Sequence, residues 1–167
     1  MRVFGIDPGS TATGYAVIER TGGRFRLLNA GVIRTKSKTE VAVRLREIYM
    51  GLHAQLTVAG ADCVAIESIF LHRSSESAIR LGQARGVALL AASMHKLGVH
   101  EYNPMTVKKT VGGHGRAGKA DVARLVTRLL GVDHSLASDA SDAAAIAITH
   151  MMHSPFQRVP LKRRAQT

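Results

Sequence analysis

The chain has 167 residues, 46% of them hydrophobic, which is long enough for one domain with a proper core and too apolar for a disordered protein. Lys and Arg number 23 against 12 Asp and Glu, a formal charge of +11 that points to a polyanionic partner, nucleic acid first among them. The sequence has no run of 18 apolar residues to predict a membrane span, and aromatics at 4% argue against base stacking as the main binding mode.

The chain begins directly on strand-like sequence with no signal-peptide pattern, and its single cysteine, Cys63, is expected to form neither an internal disulfide nor a cysteine metal site. Both features predict a cytoplasmic protein. Residues 3–6, 14–20 and 25–34 read as three strands, and Thr21-Gly22-Gly23 is the turn that makes the last two antiparallel. Ser37 and Glu40 have capping-box spacing ahead of Val41, Leu45, Ile48, Leu52 and Leu56, an amphipathic helix ending near Gly60. "CVAIE" is a fourth, buried strand, with Cys63 a small core residue and Glu67 at its end. A polar loop leads into a long helix over about residues 76–97, carrying Ile79, Val87, Leu90 and Met94. Residues 99–102 form a fifth strand, after which Asn103 and Pro104 cap a short helix. "GGHGRAG" is a flexible loop, Val122, Leu125, Val126 and Leu129 mark another helix, and a last helix starts near Ser138 and runs through "DAAAIAITHMM". Residues 1–153 are expected to form one domain, and residues 154–167, with four basic residues and no acid, a flexible basic tail. This order suits an α/β fold with a five-stranded mixed sheet flanked by helices on both faces.

Four of the twelve acids stand apart. Asp7 and Glu67 each end a hydrophobic strand. Asp139 and Asp142, three apart, share one face at the start of an almost entirely apolar helix. Singly, Asp7 also fits a turn residue before Pro8-Gly9, and Asp139 a helix-dipole partner worth about 0.3–1 kcal/mol. If the first and fourth strands are neighbours, all four converge, and like charges so gathered are stable only around a cation. Oxygen-only ligands select Mg²⁺ or Mn²⁺, and two such ions about 3.5–4 Å apart are the known clamp for in-line phosphodiester hydrolysis. His150 and His153 share a helix face at metal-like spacing but lack further ligands, and read as structural or surface residues.

"GIDPGSTATGYAVI", "AIESIF", "LGQARGVALLAA", "VKKTVGGHGRAGKADV" and "SDASDAAAIAITH" together resemble the bacterial RuvC family of Holliday junction resolvases, in order from Arg2 to about His150. The resemblance implies a ribonuclease H-like fold, and a homodimer that uses Mg²⁺ to make paired symmetric nicks in a four-way DNA junction during recombination and repair. It makes Asp7, Glu67, Asp139 and Asp142 the catalytic metal ligands. It assigns Lys108 and Lys119 to phosphate or developing charge, and Phe70 to an unpaired base at the crossover, where ordinary core packing is its alternative. Some relatives use His at the final acid position; this chain keeps Asp139. The resemblance also implies a branch-migration motor as partner. Hydrolysis of this kind leaves 5′-phosphate and 3′-hydroxyl ends.

Lys108, Lys109, Arg116, Lys119, Arg124 and Arg128 crowd around the glycine-rich loop with Asp121 the sole acid among them, and read as a phosphate track in preference to a merely solvated face. Gly82 and Gly86 each cost a helix about 1 kcal/mol relative to Ala, which makes sense if a backbone comes close. That backbone is either the protein's own sheet or, as the resemblance implies, a second subunit. Three rival readings remain. "GIDPGST" also resembles the phosphate-binding turn of actin-like and sugar-kinase ATPases, which need two such domains. The others are a junction-binding protein without catalysis and a ribonuclease of the same fold.

Overall fold

The computed structural model describes residues 1–68 and 75–154. Five strands, β1 (Arg2–Asp7), β2 (Ala12–Thr21), β3 (Arg24–Arg34), β4 (Cys63–Glu67) and β5 (Gly98–Tyr102), form one sheet in the order β3-β2-β1-β4-β5. β1, β2 and β3 pair antiparallel, whereas β1, β4 and β5 run parallel. The expected mixed sheet is present, and β1 does lie beside β4. Five helices complete the described fold: α1 (Val41–Ala59), α2 (Ser75–Met94), α3 (Pro104–Gly112), α4 (Lys119–Leu130) and α5 (Ser138–His153). None of them is long and apolar enough to cross a membrane.

Strand alternation divides the core. Val3, Ala16, Ile18, Cys63 and Ala65 face α3, α4 and α5, while Phe4, Ile6, Val17, Val64 and Ile66 face α1 and α2. On the first face α5 lies against the sheet and is buried continuously from Ala143 to Met151. Two glycines permit that approach. A Cβ on Gly5 would sit 2.1 Å from the Ala143 carbonyl oxygen, and one on Gly14 would sit 2.0 Å from that of Asp139.

Several local expectations hold. Gly60 ends α1 in the left-handed conformation, and the Asn103 side chain accepts the Met105 N–H at 2.8 Å with Pro104 in the first turn. The Ser37–Glu40 capping box does not form. Glu40 itself is the N-cap, without a side-chain cap, and the Ser37 carbonyl instead accepts from the buried Arg44 guanidinium at 3.4 Å. The long helix stops at Met94, where Lys96 turns the chain at φ 57°. Its inward face is alanine, Ala84, Ala88, Ala91 and Ala92, whereas Ile79, Leu90 and Met94 are 63%, 53% and 62% exposed.

Candidate active site

Asp7 is the last residue of β1 and pairs across the sheet with Gly14, the glycine that admits the first turn of α5. Glu67 is the last residue of β4, and the Ile6–Ile66 register makes Asp7 and Glu67 leave adjacent strand ends. By the two-residue repeat both share the face of Gly5 and Ala65, the face covered by α5. Asp139 and Asp142 lie in the first turns of α5. The chain after Asp7 is held tightly: the Thr13 hydroxyl donates to the Gly9 carbonyl at 2.8 Å, and the Thr35 hydroxyl to that of Ser10 at 3.0 Å. The end of β4 is fixed by the Ser68 N–H donating to the Tyr102 carbonyl at 2.9 Å.

The four acids line one cleft of about 680 Å³. Burial, then the negative charges of Glu67, Asp142 and Asp139, push the Asp7 carboxyl up to about 7, with Lys119 acting in the opposite sense. Lys119, at the start of α4, places its ammonium 2.7 Å from Asp142, and that hydrogen bond holds it above the ordinary lysine range. Lys119 thus touches the cluster through Asp142.

Lys108 also lines the cleft. Lys109, in the last turn of α3, and Arg116, in the loop before α4, are exposed outside its lining. Gly82 is half-buried on α2 and Gly86 exposed; a Cβ on Gly86 meets nothing within 4 Å, so the protein's own sheet does not demand that glycine. Phe70 lies outside the described residues. Sequence reasoning missed Arg80 and Ser77, which enter the cleft wall from α2. The Glu76–Arg80 pair, 2.5 Å apart one helical turn away, is the signal that conceals Arg80, because it reads as ordinary surface charge.

Residues 3–150 match the family described as crossover junction endodeoxyribonuclease RuvC. The RuvC of Pasteurella multocida is 48% identical over 148 residues, 89% of this chain and 77% of that protein. The RuvC of Geobacter sulfurreducens is 45% identical over 150 residues, 90% of this chain and 92% of its own length. The structure of T. thermophilus RuvC in complex with Holliday junction substrate aligns with a TM-score of 0.85 at 37% identity, covering 90% of this chain and 93% of that one. At 13% identity, the yeast mitochondrial Holliday junction resolvase Ydc2 shares the fold with a TM-score of 0.62. The sheet and its helix layers are the ribonuclease H-like fold of RuvC, whose members are metal-dependent nucleases. The chain belongs to the RuvC family of crossover junction endodeoxyribonucleases.

Proposed function

We propose that this protein resolves four-way DNA junctions in the cytoplasm by paired symmetric nicks, with Asp7, Glu67, Asp139 and Asp142 as its catalytic metal ligands. The observation that carries this reading is the convergence of the four acids on one cleft, where burial, and then the charges of the other three, push Asp7 up to about 7. Such a surplus of like charge fits a hard divalent cation, and four carboxylates fit Mg²⁺, with Mn²⁺ as a substitute. Held by Asp7, Glu67, Asp139 and Asp142, two such ions would supply Lewis acidity for an in-line hydrolysis that leaves 5′-phosphate and 3′-hydroxyl ends.

The remaining work falls to the protein's own cations. Lys108 and Lys119 line the same cleft and hold the phosphate that the carboxylates repel. Lys109 and Arg116 extend the positive surface along the DNA arms, and Phe70 lies against an unpaired base at the crossover. Residues 1–153 act as the nuclease domain, with the basic tail following.

A second copy covers the outer face of α2. Ile79, Leu90 and Met94 are exposed there, and Gly86 opens space beside them. A twofold pair presents two clefts to two strands of equivalent polarity, which yields paired cuts. The test is an end-labelled mobile four-way junction incubated with Mg²⁺. Symmetric nicks whose ends a ligase seals are expected; binding without any cutting at any divalent ion overturns the reading in favour of a non-catalytic junction binder.

A further inference from the structure

At the far end of α5 a different set of side chains meets. The Cys63 thiol, at the start of β4, lies 3.4 Å from His150 Nε2. The His100 ring, on the edge strand β5, stands 4.2 Å from the His150 ring between centroids. One ligating atom from each of these three residues lies within 4.8 Å of the other two. The Tyr102 hydroxyl sits 2.8 Å from His150 Nδ1.

We propose that Cys63, His100 and His150 form a second metal site, for one borderline-soft divalent ion such as Zn²⁺. The spacing is the first argument. A tetrahedral ion with bonds of about 2.3 Å to sulfur and about 2.0 Å to nitrogen holds those two atoms about 3.5 Å apart, which is the Cys63–His150 separation. Orientation is the second. In the tautomer whose Nδ1–H donates to the Tyr102 hydroxyl, Nε2 is left for the ion, the arrangement that fixes tautomer and ring in metal-binding histidines. Access is the third. Cys63 and His150 are 7% and 3% exposed, so they form the floor, while His100 is exposed and closes the last distance by a side-chain movement. A buried thiol–imidazole hydrogen bond alone accounts for Cys63 and His150 but not for His100, whose ring lies tilted against that of His150.

Thiolate and imidazole select Zn²⁺ over Mg²⁺, so this site does not compete for the ion of the acidic cleft. The two are also apart in space. His150 lies eight residues beyond Asp142, about 12 Å along the helix. Cys63 lies four residues before Glu67, about 13 Å along the strand. Binding breaks the Cys63 S–H bond, forms a metal–thiolate bond and releases the proton to solvent. The ion would tie the β4–β5 edge of the sheet to the last turns of α5 and stabilise the folded state.

Cobalt(II) reports the donor set directly. The tag-free full chain, reduced and freed of metal, is titrated with Co²⁺. The expected result is a thiolate-to-cobalt charge-transfer band that saturates at one equivalent, disappears on adding Zn²⁺ and survives excess Mg²⁺. Cys63→Ser should abolish the band. His100→Ala, an exposed change that does not disturb the core, should weaken Co²⁺ binding by about 10-fold or more. Glu67→Gln should leave the band intact, which separates this site from the acids. Absence of the band from the unaltered protein, or a band of unchanged affinity in His100→Ala, overturns the proposal.

Discussion

Helix α5 joins two clusters of opposite chemistry. Its first turns present Asp139 and Asp142 to Asp7 and Glu67 in an open cleft, four hard oxygen donors of like sign. Its last turns carry His150 against Cys63, His100 and Tyr102, a thiol and two imidazoles beside a phenol, with a buried floor. The helix macrodipole favours anions at the first end and cations at the second, by about 0.3–1 kcal/mol, less than one pH unit in either case. At both ends burial is the larger effect. It pushes Asp7 up to about 7, aided by the neighbouring acids, and pushes the His150 imidazole down to about 4, aided by His100. The lesson is that the fold makes the neutral form of each group easy to reach. At the acidic end this leaves a cluster that a cation helps bring to full charge near neutral pH, whereas at the histidine end it leaves a neutral imidazole between Cys63 and Tyr102.

Breaking the acidic end should have the largest effect. Asp7→Asn removes the most perturbed carboxylate with little change of shape, and loses several kcal/mol of transition-state stabilisation. Junction cleavage should fall about 10³-fold or more while junction affinity in a gel-shift assay stays within about threefold. Full-rate cutting by this variant would refute the role proposed for Asp7.

Gly14→Ala attacks the same end through packing. The added Cβ would meet the Asp139 carbonyl at 2.0 Å, so α5 must shift from the strand that faces Asp7. A loss of about 1–3 kcal/mol in unfolding free energy is expected by chemical denaturation, together with slower cleavage at saturating Mg²⁺. If α5 were loosely seated, neither would change.

Lys119→Ala should act more narrowly. It frees Asp142 of its 2.7 Å partner and removes one cation from the cleft. Single-turnover cleavage is expected to fall by about 10–100-fold, with Mg²⁺ affinity unchanged or improved because a competing ammonium has gone. Weaker Mg²⁺ binding in this variant would mean that Lys119 supports the metal site instead of the phosphate.

The acidic end was legible because each acid interrupts an apolar run. Asp7 and Glu67 stop strands whose preceding residues are buried on both faces, and Asp139 and Asp142 stand in the first turns of a helix whose remainder is too apolar to be anything but core. The succession of elements along the chain and the caps at Gly60 and Asn103 followed from equally local signals. What escaped depended on partners distant in sequence. His150 reads as a helical surface histidine until β4 brings Cys63, 87 residues away, against it. The faces of α2 were misleading for a different reason. Large apolar residues are the usual core signal, but α2 buries alanines on the side that faces its own domain and turns Ile79, Leu90 and Met94 outward. The Ser37–Glu40 spacing matched a capping box, yet α1 begins three residues too late for Ser37 to serve as its cap.

The finest distinction between the two ends is their response to pH. Asp7 titrates at about 7 in the folded protein against 3.8 as its ordinary value, so the native state holds an extra proton between those limits. Stability from this group therefore falls as pH rises from about 4 to about 7 and is constant above. His150 runs the other way: with a folded value of about 4 against 6.5, the native state lacks a proton there, and stability falls as pH drops through that window. The two trends oppose each other below pH 6.5, and between 6.5 and 7 only Asp7 changes. Mg²⁺ binds the ionised carboxylate, so the rise in Tm on adding Mg²⁺ should be a few degrees larger at about pH 8 than at about pH 6. Asp7→Asn should remove that difference, and His150→Gln should leave it in place. An Mg²⁺-induced shift of equal size at both pH values in the unaltered protein would show that Asp7 is already ionised at pH 6, and that burial and the other acids do not hold its proton on.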